Sequence, residues 1–328
     1  MFCRIIGISL TIFYCIIIFS LADTVNLLNA GVLDSQPDKS SSESQGYRDV
    51  VVFMNEFFAV GTDGRIDCFS KSAKKIAEHK ASKYKLNCAY SNNKIFVAAG
   101  DEGTIIYSTD GKKFNDAESG ITENINDITS KNGLILAGAD KGKILVSKDS
   151  KTWSSIQTAA EGNIMSLSVK STFIIGVTDA GEIIKSINGT NWDVKNYNKE
   201  YAGYNEPAKF KKIITGQNNI VIIGVHNDGS PAILFSTLGN VWAERELIYH
   251  DNNGNVYYLT EEPNAVTYDP LMDEFIIACN SGELLNLPSC SKCNKSIKIS
   301  NNNLESVIIV DDSLVIAGDD YSFFIHEL

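Results

Sequence analysis

The apolar residues of this chain fall in short unbroken runs, not in helical stripes. Six of the clearest are IFVAA (95–99), LILAG (134–138), FIIGV (173–177), IVIIGV (220–225), FIIAC (275–279) and LVIAG (314–318). Runs this short, rich in β-branched residues and apolar at every position, predict strands buried on both faces. Each of the first four is followed by a polar turn holding a glycine, a short strand, and a second polar turn ending in an aromatic residue.

That unit recurs. Residues 101–114 read DEGTIIYSTDGKKF, residues 140–153 DKGKILVSKDSKTW and residues 179–192 DAGEIIKSINGTNW. Residues 227–242 (NDGSPAILFSTLGNVW) are a stretched copy, and weaker copies surround Gly64, Gly282 and Tyr321. The glycine-column positions 64, 103, 142, 181, 229, 282 and 321 differ by 39, 39, 39, 48, 53 and 39. A period near forty residues made of short strands predicts a β-propeller. The expected fold is all-β, a seven-bladed propeller of four-stranded antiparallel blades over residues 47–328. The last blade stops at Leu328 after its third strand, and an open ring leaves sheet edges bare. Residues 25–33 (VNLLNAGVL), followed by a Ser-rich linker at 34–46, are predicted to supply the missing outer strand.

Composition narrows the setting. With 328 residues and 44% apolar content, the chain can build one large core and is not a disordered polymer. Residues 1–22 read as a secretory signal: Arg4, an apolar run over 5–19, then the small residues Ser20 and Ala22. Its removal would take Arg4 and no acid, leaving 28 basic residues against 40 acidic ones, net −12. The expected product is secreted, or periplasmic in a Gram-negative source, with no membrane span. Its negative charge disfavours nucleic acid. Five cysteines would remain, and Cys290-Ser291-Lys292-Cys293 is predicted to close a local disulfide, as expected in an oxidising compartment. Asn188 and Asn294 head glycosylation sequons, which matter in a eukaryotic source.

The second turns carry a resemblance. They run Ser108-x-Asp110-Gly111-x-x-Phe114, Ser147-x-Asp149-x-x-x-Trp153, Ser186-x-Asn188-Gly189-x-x-Trp192 and Ser236-x-x-Gly239-x-x-Trp242. They resemble the Asp-box, or BNR, repeat shared by sialidases, sortilin-like receptors and photosystem II assembly-factor propellers. Asn188 and Leu238 depart from it, and the turns of blades one and six are degenerate. The resemblance implies a propeller with these boxes as structural turns, remote from the working face.

Catalysis finds little support. Sialidases clamp a carboxylate with three arginines; the chain beyond the leader has only Arg48, Arg65 and Arg245, which are not expected to converge. The photosystem factors carry arginine-rich patches that this chain lacks. His79, His226, His250 and His326 share no metal-ligand spacing. No cofactor, metal or catalytic residue is expected.

A non-catalytic binding module is the favoured reading, with a protein partner first and a glycan second. The rivals are a glycoside hydrolase or lyase and an assembly or folding factor for an exported complex. In a propeller the first turns and the blade-to-blade connections share one face. The two oversized spacings place insertions at 199–208 and 250–263 on that face. The predicted contact residues are therefore Tyr197, Tyr201, Tyr204, Tyr249, His250, Asp251, Tyr257 and Tyr258, with Asp101, Glu102, Asp140 and Asp179 of the acidic first turns.

Overall fold

Seven antiparallel sheets stand around a central channel in a computed structural model that describes residues 44–203, 206–245, 248–250, 256–258, 260–288 and 295–328. The inner strands are Tyr47–Phe53, Leu86–Ser91, Ile125–Lys131, Ile164–Val169, Ala208–Thr215, Pro263–Asp269 and Leu304–Val310. Each pairs with the strand that follows it, and the sheets grow outward in chain order. Blades one to six have four strands; blade seven shows three among the described residues. The predicted leader (1–22), closing strand (25–33), Cys290, Cys293 and Asn294 lie outside the described residues.

The apolar runs are the second strands, and their burial on both sides is what makes the ring. In blade two Phe96–Gly100 is buried at every position. Val97, Ala99 and Ile105 of blade two pack with Ile125, Ile135, Ala137 and Leu145 of blade three. The same contact closes the circle, where Tyr47, Val50 and Phe57 of blade one meet Val315 and Ala317 of blade seven. There the Phe69 and Phe323 rings stack 4.0 Å apart.

One backbone bond recurs in all seven blades. The first residue of each first turn donates its N–H to the carbonyl just ahead of the same blade's inner strand: Thr62 to Gly46, Asp101 to Lys85, Asp140 to Asn124, Asp179 to Asn163, Asn227 to Pro207, Asn280 to Glu262 and Asp319 to Asn303, at 2.9–3.2 Å. The first turns and inner-strand starts therefore share one face.

The second turns are held by their own side chains. Ser108 Oγ accepts the Gly111 N–H at 3.0 Å, and Asp110 Oδ1 accepts from Lys112 and Lys113 at 2.9 and 2.8 Å. Ser147 and Asp149 repeat this in blade three, and Ser186 and Asn188 in blade four. In blade five Ser236 makes its bond to Gly239, while Leu238 stands exposed in place of the acceptor. Phe114 is partly buried, and Trp153, Trp192 and Trp242 pack between blades.

Candidate functional site

Every inner strand carries a β-bulge, at its second residue in six blades and at its fourth in blade five. The extra residues are Arg48, Asn87, Asn126, Met165, Lys211, Asn264 and Glu305. A bulge re-aims one side chain, and all seven line a single cavity of about 300 Å³ at the channel mouth, together with Lys85, Asp101, Asn124 and Lys212.

Three bulge asparagines serve as clasps. Asn87 donates to Asp101 of its own first turn at 3.0 Å and to the Ile125 carbonyl of the next blade at 3.1 Å. Asn126 does the same with Asp140 and Ile164, and Asn264 with Asn280 and Leu304. Arg48 pairs with Asp319 at 2.9 Å across the closing seam, and with Glu305 at 3.7 Å. Lys211 reaches Glu262 at 2.6 Å. Met165 breaks the series with a thioether where its neighbours have amides and charges.

Beneath this ring lies a second one. Asp49 accepts from Ala89 of the next blade at 2.9 Å and from Ser306 Oγ of the previous blade at 2.9 Å. Asp127 accepts from Leu167 at 2.7 Å and Ser166 Oγ at 2.8 Å. Lys212 occupies the corresponding place in blade five. Burial pushes its pKa down, but Asp127 and Asp49 outweigh burial and hold the ammonium above its usual range. Burial raises the Asp49 carboxyl in spite of Lys212. Glu305 is also raised by burial, against the pull of Arg48. Cys88, buried in this layer and donating to the Ala99 carbonyl, has a thiol pushed well up by burial. Cys68 is pushed up to about 12 by burial and its bond to Glu56. Such thiols are poor nucleophiles. Among the described residues no disulfide forms, and no group of three His, Cys, Asp or Glu side chains is arranged to hold a metal.

The residues singled out from the sequence divide. Asp101, Asp140 and Asp179 do stand at the first turns, but their oxygens serve the ring: Asp179 takes the backbone and side-chain N–H of Asn163, both at 2.8 Å. Glu102 is exposed. Tyr197 is only 2% exposed and packs in the core between blades four and five, too deep to meet a docking partner. Tyr201 stacks on it at 4.6 Å and accepts the Trp242 N–H at 3.4 Å. The second insertion holds a hairpin, Ile248–His250 against Val256–Tyr258, with the Tyr258 side chain exposed. Tyr204 and Asp251 lie outside the described residues, as do the side chains of Tyr249, His250 and Tyr257. The three arginines sit apart: Arg48 at the mouth, Arg65 over the Tyr321 ring and Arg245 over the Phe235 ring.

The bulge ring was not anticipated. Its sequence signal is a pair of consecutive polar residues at the start of an otherwise alternating strand, as in Arg48-Asp49, Asn126-Asp127, Lys211-Lys212 and Glu305-Ser306.

Residues 71–284 match the DUF6242 beta propeller domain. The chain belongs to that family. The match runs from the turn before the outer strand of blade one into the third strand of blade six. Among solved structures, the ring is similar to the WD40 beta propeller domain of Doa1, with a TM-score of 0.65, 13% identity, and coverage of 87% of this chain and 93% of that one. It is also similar to YCF48 bound to D1 peptide, with a TM-score of 0.64, 15% identity and coverage of 90% and 98%. The computationally designed Ika8 protein aligns with a TM-score of 0.58 at 9% identity over 88% of this chain and 98% of that one. At these identities the likeness is one of fold. No curated protein sequence matches the chain.

Proposed function

We propose that this chain is a non-catalytic binding module whose partner is a protein, engaged by an exposed segment laid across the channel mouth. The observation that carries the reading is the bulge ring. Seven equivalent backbone positions present seven side chains to one cavity of about 300 Å³, and those side chains span cation, anion, amide and thioether. Three of the amides are tied into the ring, whereas Met165 makes no such clasp and offers adaptable apolar contact beside Lys211. A scaffold that repeats its geometry but varies its chemistry at the mouth suits recognition of a defined polar chain. The solved likeness of YCF48 with a D1 peptide supports a peptide-like occupant. Tyr258, on the hairpin of the second insertion, is exposed.

Two further points belong to this reading. The second turns make the bonds expected of Asp-boxes, which supports placing them in that repeat class. The apolar leader over 5–19 supports action outside the cytosol.

The test is site-specific photocrosslinking in the native source. A benzoylphenylalanine at Met165 should yield protein adducts, and the same probe at Met54, on the opposite face, should not. Adducts from Met54 alone would overturn the face assignment. Protection of Met165 by free oligosaccharides, or release of sugar from a glycan, would transfer the site to the glycan-binding or hydrolytic alternative.

A further inference from the structure

Four second turns in succession, on blades two to five, share the bond from the turn's backbone N–H to its Ser Oγ, so their tips fall on one arc of the face opposite the mouth. In the first two the projecting residues are Lys112, Lys113, Lys148 and Lys151, all exposed. None of the four has an ion-pair partner among the described residues, whereas Lys131 and Lys170 on the same face are bonded to backbone carbonyls of the next blade. Asp110 and Asp149 lie between these lysines, but their carboxylates already accept the turn's own backbone N–H groups. In the next two turns the lysines are absent. Ile187 stands where blade three has Lys148, Val241 where blade two has Lys113, and Leu238 where both have the acceptor Asp; the three are 79%, 74% and 63% exposed.

From these tips we propose that blades two to five dock this face on a bilayer surface carrying anionic headgroups, the lysines meeting headgroup charge and the three aliphatic side chains entering the interface. Lysines with no ion pair among the described residues, one of them (Lys151) over the Tyr107 ring, on a chain of net charge −11 mark a place where the local sign is reversed. Bulky aliphatic side chains left in water singly are ordinary, but three on two adjacent equivalent turns are a patch that calls for a cover. The tips are separate protrusions of sibling turns, and the channel cavity opens on the other face. Isolated tips on an arc fit a flat, deformable surface better than a protein pocket. Basic and aliphatic tips together are the chemistry of interfacial lipid binding. The inner turn of blade six adds Leu271 and Met272, 81% and 68% exposed, to the aliphatic tips on this face, and the exposed Asp311 and Asp312 would keep only the blade-seven sector away from the lipid. The mouth stays open to a protein partner.

The experiment is co-sedimentation of the full chain with vesicles of phosphatidylcholine alone, and of phosphatidylcholine mixed with phosphatidylglycerol. The mixed vesicles should be bound, and binding should weaken with added salt. Reversing the four lysines to glutamate should lower the affinity at least about tenfold. Ile187→Ser, Leu238→Ser and Val241→Ser together should lower it about tenfold or more. All seven residues are exposed, so thermal melts should be unchanged, and Met165→Ala should leave vesicle binding intact. Equal sedimentation of wild type and both variants would overturn the proposal by assigning binding elsewhere in the chain. So would no sedimentation with mixed vesicles. Binding of poly-glutamate through the lysines, without vesicle binding, would replace the lipid with an acidic protein partner.

Discussion

The two faces of the ring are written by one repeat but fixed by different means. On the mouth face the backbone is locked and the side chains vary. Seven like bonds hold the first turns, and the column glycines of blades one, two, three and six press on backbone: a Cβ on Gly103, at φ +64°, would lie 2.1 Å from the Ile121 carbonyl. Gly229 of blade five has open space instead, and Tyr321 takes the column place in blade seven at φ +54°. Five different side-chain types can then be mounted at the seven bulges without disturbing the strands. On the opposite face the turns are held by Ser and Asp side chains, and the backbone residue is negotiable. A Cβ on Gly111 would meet only the Phe58 ring, at 2.8 Å, and blade three already has Ser150 at that position with φ +66°. A backbone-specified face is free to diversify in chemistry; a side-chain-specified face keeps its polar residues and drifts at the tips.

The sharpest way to break this contrast is the glycines. Gly103→Ala should cost about 3–5 kcal/mol, since left-handed strain adds to a clash with backbone that cannot swing away. Gly111→Ala should cost about 1–2 kcal/mol, because an aromatic ring can shift by a few tenths of an ångström. Denaturant midpoints measure both, and equal losses would show that the two faces are fixed in the same way.

A smaller effect separates clasps from contacts within the mouth itself. Asn126→Ala removes two hydrogen bonds and strips a partner from Asp140, a loss of about 1–3 kcal/mol. Met165→Ala, at the equivalent bulge with no clasp to lose, should cost under about 1 kcal/mol yet reduce partner capture. If Met165→Ala destabilises as much as Asn126→Ala while capture is unaffected, the mouth is structural throughout and the binding reading fails.

The blades were legible because strand burial and turn chemistry leave local traces. The apolar run at 95–99 located blade two's second strand, Phe96–Gly100. The mouth was much less legible. Asp101 and Asp140 look like solvent-facing turn residues, and only the fold shows that Asn87 and Asn126 bind them. Tyr197 sits in a connection that reads as a loop, yet the Asn196-capped turn drops it into the core beside Phe210. Long-range partners leave no local pattern. The bulges left one, a polar pair at the start of four of the seven inner strands, which is readable only once the inner strands are known.

The smallest predicted effect tests whether charge matters in the side-chain-specified turns. Asp149 and Asn188 hold equivalent turns with nearly equal bonds: 2.9 Å to Lys151 and Thr152 in one, 3.0 Å to Thr190 and Asn191 in the other. The amide therefore reproduces the geometry without the charge. The Thr152 and Lys151 N–H groups favour the ionised form of Asp149 and draw its pKa down to about 2. A carboxylate depressed in the folded state adds stability above its unfolded pKa and loses it as pH falls through the folded value. Asp149→Asn should thus lower the melting temperature slightly at neutral pH, and the gap should close as pH falls from about 4 to about 2. The reciprocal Asn188→Asp should add a small stability at neutral pH that vanishes over the same interval. Parallel melting curves at every pH would mean that the turns are set by hydrogen-bond geometry alone, and the charge on Asp149 would then be irrelevant to the turn it holds.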